Sequence, residues 1–312
     1  MSSTVNLQSN GPTITVITNM YKPKTTQICN WKSFLKDELH PRSFLFGYLY
    51  PEDFTKFQCI LSVFKYLVWR SVWAIVFLFM LILNGTISDY WSHSKYKHYQ
   101  WFTYLTHWTS YLLAVTTTVD VICVIHIYLY KPDIVKEEYR RMPWFLQVNW
   151  FLTTCSNNIT CLISIIHWVF IYQGETVSIF SLVTYGGIAL YTIVNLCLVA
   201  APVRIYHMIY PMLVMCFYAL CNFIYQEYNL PNNIGSDKNY PGWNSNTDII
   251  HTDLLFILIS GVVHQFLYLV YILRLVASRY WCVTNRTSIY WQPDNTGDLT
   301  RQDIRYTFLT PT

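Results

Sequence analysis

The sequence predicts an all-α protein, a polytopic membrane helix bundle of about six transmembrane helices. Three observations predict it. Only 12 % of the 312 residues are charged, about half the share of a soluble chain. The apolar residues collect in six long windows between polar ends. The lysines and arginines fall almost entirely on alternate connections between those windows. Aromatics reach 18 %, which excludes intrinsic disorder. A net charge of +4, without a dense basic stripe, gives no footprint for phosphates and excludes nucleic acid as a partner.

The six windows are residues 70–88, 102–128, 146–172, 178–203, 205–225 and 254–277. Each approaches or exceeds the roughly 20 residues that a helix needs to cross about 30 Å of hydrocarbon. The fourth and fifth are separated only by Ala201-Pro202-Val203-Arg204, which reads as a tight turn or as a kink in one re-entrant unit. Three parts follow. Residues 1–65 form a cytoplasmic N-terminal segment, residues 66–277 a six-span membrane domain, and residues 278–312 a cytoplasmic tail. No apolar signal-peptide run follows the start, so the first span is expected to serve as an uncleaved anchor.

Orientation follows from the basic residues. Eighteen of the 21 lysines and arginines lie before the first window, between the second and third, between the fourth and fifth, or from Arg274 onward. The remaining connections carry only Lys95, Lys97 and Lys238. That split places both termini in the cytoplasm and requires an even number of spans. The nine cysteines include no CxxC pair, and none falls in a predicted outer loop, so neither a structural disulfide nor a cysteine metal site is expected. Of three Asn-x-Ser/Thr sequons, only Asn84 lies near the outer surface, close to the bilayer.

The informative residues are the polar ones inside the windows. In the third, Asn149, Thr153, Ser156, Thr160, Ser164 and His167 recur three or four apart and make one helix face. The fourth repeats the pattern with Ser178, Ser181, Tyr185, Thr192 and Asn195, Ile188 being the one apolar member. The second presents Thr106, Ser110, Thr117 and Asp120, with His107 beside them. Such stripes must face each other or water, because an unsatisfied polar group facing lipid is costly.

Span direction sorts them by depth. Thr106, His107, His167 and Tyr185 fall in the outer half, with His264 near that level or slightly deeper. Asp120, Asn157, Asn158 and Asn195 form a lower polar cluster toward the cytoplasm. Asp120 is the one acid well inside a window. An intramembrane acid is a functional candidate by default, and its alternative is to tie helices together through Asn or Ser. The histidines read equally as neutral imidazoles bonding across helices. Scattered single histidines lack a paired spacing such as HxxxH, so no metal and no cofactor is expected.

At Trp101-Phe102-Thr103-Tyr104-Leu105-Thr106-His107-Trp108 a specific resemblance emerges. With Ile166-His167-Trp168 and Pro202-Val203-Arg204-Ile205-Tyr206-His207, this string resembles the rolling stone family of animal membrane proteins over roughly residues 65–277. The resemblance implies a plasma-membrane protein whose prototype acts in insect myoblast fusion. More distantly the pattern is similar to the androgen-induced-protein family of six-span lipases, which hydrolyse fatty acid esters of hydroxy fatty acids with an intramembrane Thr and a His. That family's Thr matches Thr106 within Tyr104-Leu105-Thr106. Its Asn-His-Gly-x-His string falls on Thr184-Tyr185-Gly186-Gly187-Ile188, so Ile188 occupies the position of the base. A threonine hydroxyl is a poor nucleophile without one, and a hydrolase would have to recruit His107, His167 or His264.

Three functions from different classes remain open at this point. The leading one is a non-enzymatic component of cell–cell fusion or membrane organisation. The second is a Thr106-dependent hydrolase of fatty acid esters. The third is a small-molecule transporter built on the polar stripes, although neither an internal repeat nor a charged ring supports it. Membrane lipids and other membrane proteins are the expected partners.

Overall fold

The computed structural model describes residues 38–58 except 49, then 62–91, 104–136, 141–172, 179–227 and 246–290. Among these residues the protein is helical, and its extended backbone makes a single antiparallel bridge between Phe57 and Val199. Six helical rods match the six apolar windows. They are α1 (Val63–Trp91), α2 (Leu105–Tyr130), α3 (Trp144–Ile165), α4 (Ile188–Leu198), α5 (Ile209–Glu227) and α6 (Asn246–Tyr290). Two of them carry π-helical turns. Ile166–Ile171 prolongs α3, and Leu182–Gly187 leads into α4 after the short turn Ile179–Ser181. Four stretches, Val63–Leu83, Leu105–Tyr130, Ile205–Ile224 and His251–Ala277, are long and apolar enough to cross a membrane. The rod made by α3 and its π turn is equally long, and its asparagines, glutamine and hydroxyls lower its hydropathy.

The chain divides into two units after Arg274. The second contains the last turns of the α6 helix, residues 275–290, and everything described below belongs to the first. There α1 packs on α2, α2 on α3, and α3 on both α4 and α5. The outer faces are apolar. Ile75, Phe79, Ile122, Leu190, Leu220, Leu258 and Val262 are all exposed, a pattern that makes sense only where lipid replaces water as the solvent. The buried faces carry the polar residues, among them Asp120, Asn149, Asn158, Thr192, Asn195, Ser260 and His264. This inversion is what a bundle in hydrocarbon requires, since small and polar side chains supply its interhelical contacts.

Between α4 and α5 the chain leaves the helix for an extended stretch. Val199 leaves α4 in an extended conformation, and the chain stays non-helical to Arg204 before a 3₁₀ turn at Ile205–Met208. Pro202 explains the break, because it cannot donate the helical hydrogen bond and biases the residue before it to extended backbone.

Residues 38–58, which the sequence assigns to a separate N-terminal segment, pack into the bundle as a strap. Pro51, Glu52, Asp53 and Phe54 are buried. The strap is held by backbone bonds from Gln58 N to Leu198 O (2.9 Å) and from Ala200 N to Lys56 O (3.2 Å). Tyr210 Oη donates to Phe44 O at 2.7 Å, and Arg204 Nη2 to Gly47 O at 3.1 Å.

Candidate functional site

Three groups of described polar residues bear on the site. The deepest is an ion pair. Arg70, on α1, lies against Asp120, on α2, with Nη1 2.9 Å from Oδ2, and both are almost wholly buried. Each carries further bonds. Arg70 Nη1 donates to Asn195 Oδ1 at 3.0 Å, and Arg70 Nη2 donates to Tyr66 Oη at 2.6 Å. Asn149 Nδ2 donates to Asp120 Oδ1 at 2.7 Å. The indole of Trp69 adds a weaker bond to Asn195 Oδ1 at 3.3 Å. Four helices therefore meet on one charge pair, a geometry in which a buried pair can offset its desolvation cost. The partner of Asp120 is thus an arginine as well as an asparagine. Arg70 stands at the first residue of the first apolar window, where its charge reads as part of the flanking basic set; α1 starts earlier, at Val63, and that places Arg70 within the helix.

The second place surrounds the segment from Val199 to Arg204, whose free carbonyls need donors. Arg274 supplies most of them from α6. Its Nη1 donates to Leu196 O at 2.8 Å and to Val199 O, and its Nη2 to Ala201 O at 3.2 Å and Ala200 O at 3.5 Å. A guanidinium at the carbonyl end of α4 is favoured by the helix dipole as well. Trp150 Nε1 donates to Pro202 O at 3.0 Å, and His264 Nε2 lies 2.9 Å from Arg204 O.

His264 thus sits with the α4–α5 connection. Between the first two places lies a chamber of about 40 Å³, lined among others by Arg70, Asp120, Asn149, Asn157, Asn195, His264 and Arg274.

The third place joins Thr106, His167 and Tyr185. The hydroxyls of Thr106 and Tyr185 are 3.4 Å apart, and the His167 imidazole stacks flat on the Tyr185 ring, with centroids 3.6 Å apart at 9°. Both rings come from π-helical turns, Ile166–Ile171 and Leu182–Gly187, and the first is closed by a bond from Tyr172 N to His167 O at 2.8 Å. A π turn adds a residue and rotates the following face, and such turns recur at functional sites. His107 lies one residue further round α2, edge-on to Tyr104.

The expected lower cluster divides. Asp120 and Asn195 share Arg70, and Asn157 lines the chamber. The neighbouring Asn158 points elsewhere and forms a reciprocal pair with Ser260. Its Nδ2 donates to Ser260 O at 2.9 Å and its Oδ1 accepts from Ser260 Oγ at 2.8 Å. Tyr185 belongs to the Thr106 group. Adjacent residues on a helix are about 100° apart, so Asn157 and Asn158 cannot serve one site. Periodicity carried through the fourth window without allowance for the π turn also misses Thr184, which is buried beside the half-buried Tyr185. Ile188, at the position of the missing base, is buried at the junction of the π turn with α4. Among the described residues no group of three or more His, Cys, Asp or Glu is arranged to hold a metal ion.

A family model described as "Protein rolling stone" matches residues 27–298. The chain belongs to the rolling stone family. It is 24 % identical over 243 residues to the protein rolling stone of Drosophila melanogaster, covering 74 % of this chain and 84 % of that protein. No solved structure matches. With its apolar helices, this makes the chain a rolling stone-like membrane protein.

Proposed function

We propose that this rolling stone-like protein is a non-enzymatic membrane component of cell–cell fusion or membrane organisation, resident in the plasma membrane. The observation that carries the reading is the environment of Thr106. Its hydroxyl meets the hydroxyl of Tyr185, the His167 imidazole stacks on the Tyr185 ring rather than bonding to Thr106, and isoleucine stands at position 188. A threonine nucleophile needs an adjacent base that accepts its proton. The Arg70–Asp120 network, the Asn158–Ser260 pair and Arg274 tie helices together, which suits a protein that presents a fixed shape in the bilayer.

Replacing Thr106 by Ala tests this reading. It should leave folding and a cell-fusion readout intact, since the bond lost is a weak interhelical one worth about 0.6 kcal/mol and at most about 2. Purified protein in nanodiscs should neither hydrolyse long-chain fatty acid esters nor take up a hydrolase activity probe. Labelling that disappears in Thr106→Ala would establish the hydrolase reading instead.

Both termini are assigned to the cytoplasm, on the strength of the eighteen basic residues that share that side. Tags at either end should stay inaccessible to antibody on intact cells and become accessible after permeabilisation. Staining of intact cells would reverse the assignment.

A further inference from the structure

The chamber is lined by two arginines, Arg70 and Arg274, and by one carboxylate, Asp120. Arg70 is neutralised by Asp120 at 2.9 Å. Arg274 has the carbonyl end of α4, which carries the equivalent of about half a negative charge. The buried carboxylate of Asp53 acts electrostatically on Arg274 from outside the chamber wall, where it takes the Tyr48 hydroxyl and lies 3.9 Å from Lys56. Two guanidiniums and one carboxylate thus face a shared space. Arg70 and Arg274 are each more than nine-tenths buried, and the Nε of each is buried without a hydrogen-bond partner. Buried donors and buried charges are ordinarily satisfied by protein, water or a bound ion.

We propose that this chamber is a binding site for one small inorganic monovalent anion of the halide class, held between Arg70 and Arg274. At about 40 Å³ it holds about three water-sized particles, enough for a halide with one or two waters. The amide of Asn157, on the same wall, offers a further donor. The site is separate from Thr106 and does not depend on the functional reading above.

The test uses the full chain in nanodiscs at constant ionic strength. Replacing gluconate by chloride should raise the melting temperature in a saturable way, as expected when a ligand binds the folded state alone, and bromide should substitute. Thr154→Asp, which adds a carboxylate to the chamber wall, should weaken the halide dependence about tenfold or more. A wild-type structure determined in bromide should show the ion between Arg70 and Arg274, and that measurement stands even if the variant does not fold. Equal melting temperatures in chloride and gluconate, or a chamber holding water only in bromide, would overturn the proposal.

Discussion

Asp120→Leu is expected to be the most damaging single substitution in the bundle, costing about 3–5 kcal/mol of stability. The side chain lost is the one that neutralises Arg70 at 2.9 Å and accepts the Asn149 amide at 2.7 Å. The guanidinium then stays buried with only the neutral acceptors Asn195 and Tyr66, and Asn149 has an amide donor with nothing to meet. Arg70→Met should cost a similar amount for the mirror reason, because it strands a carboxylate. The double variant Arg70→Met/Asp120→Leu should recover most of the loss. Two apolar side chains of similar volume remove both desolvation costs, and buried pairs replaced in this way are often neutral or better. The measurement is the thermal unfolding midpoint of the four proteins in one detergent, read as a double-mutant cycle. A single substitution costing less than about 1 kcal/mol, or a double variant worse than either single one, would show that the pair does not hold the helices as inferred. Asp120→Asn should fall between, since the amide keeps the shape and still accepts from Asn149 while leaving Arg70 uncompensated.

The long rods were legible because hydrocarbon leaves the chain few choices. Every backbone group in it must bond within a helix or a closed barrel, so apolar length alone marks α1, α2, α5 and α6. The interior stripe on the third window was legible for a related reason. Asn149, Ser156, Thr160 and Ser164 are all buried, and a regular helix preserves spacings of three and four.

Legibility failed where the backbone leaves that regularity or where one residue belongs to two patterns. Arg70 and Arg274 lie at window ends and count as flanking charges, yet each reaches inward to a specific partner set. The long stem of arginine allows this, and no local spacing announces it. The π turns at Ile166–Ile171 and Leu182–Gly187 have no simple sequence signature, although the Gly186-Gly187 pair is a helix-weakening signal. The strap was missed because residues 38–58 show no period. Its aromatics Phe46, Tyr48 and Phe54 were the available sign, since each packs against Trp150.

Trp150 therefore links the strap to the bundle, and its removal carries the second large effect. It is one of the largest fully buried side chains. Besides Phe46, Tyr48 and Phe54, its ring meets His207 with centroids 4.8 Å apart, and the Arg204 guanidinium lies over it at 5.4 Å. Its indole also satisfies the Pro202 carbonyl. Trp150→Ala is expected to cost about 3–5 kcal/mol, the range for deleting a large buried aromatic, and part of that loss is the orphaned carbonyl. Trp150→Phe separates the two contributions. It keeps most of the aromatic packing and removes the donor, so its cost should fall to about 1–3 kcal/mol. Because the same ring holds both the strap and the α4–α5 connection, Trp150→Ala should also speed proteolysis within residues 38–58 under native conditions, while Trp150→Phe should leave the strap protected. Limited proteolysis alongside thermal unfolding reads both effects. Equal cleavage of the two variants would mean that the strap is held by its backbone bonds to Leu198 and Ala200 and by Tyr210 rather than by the aromatic nest.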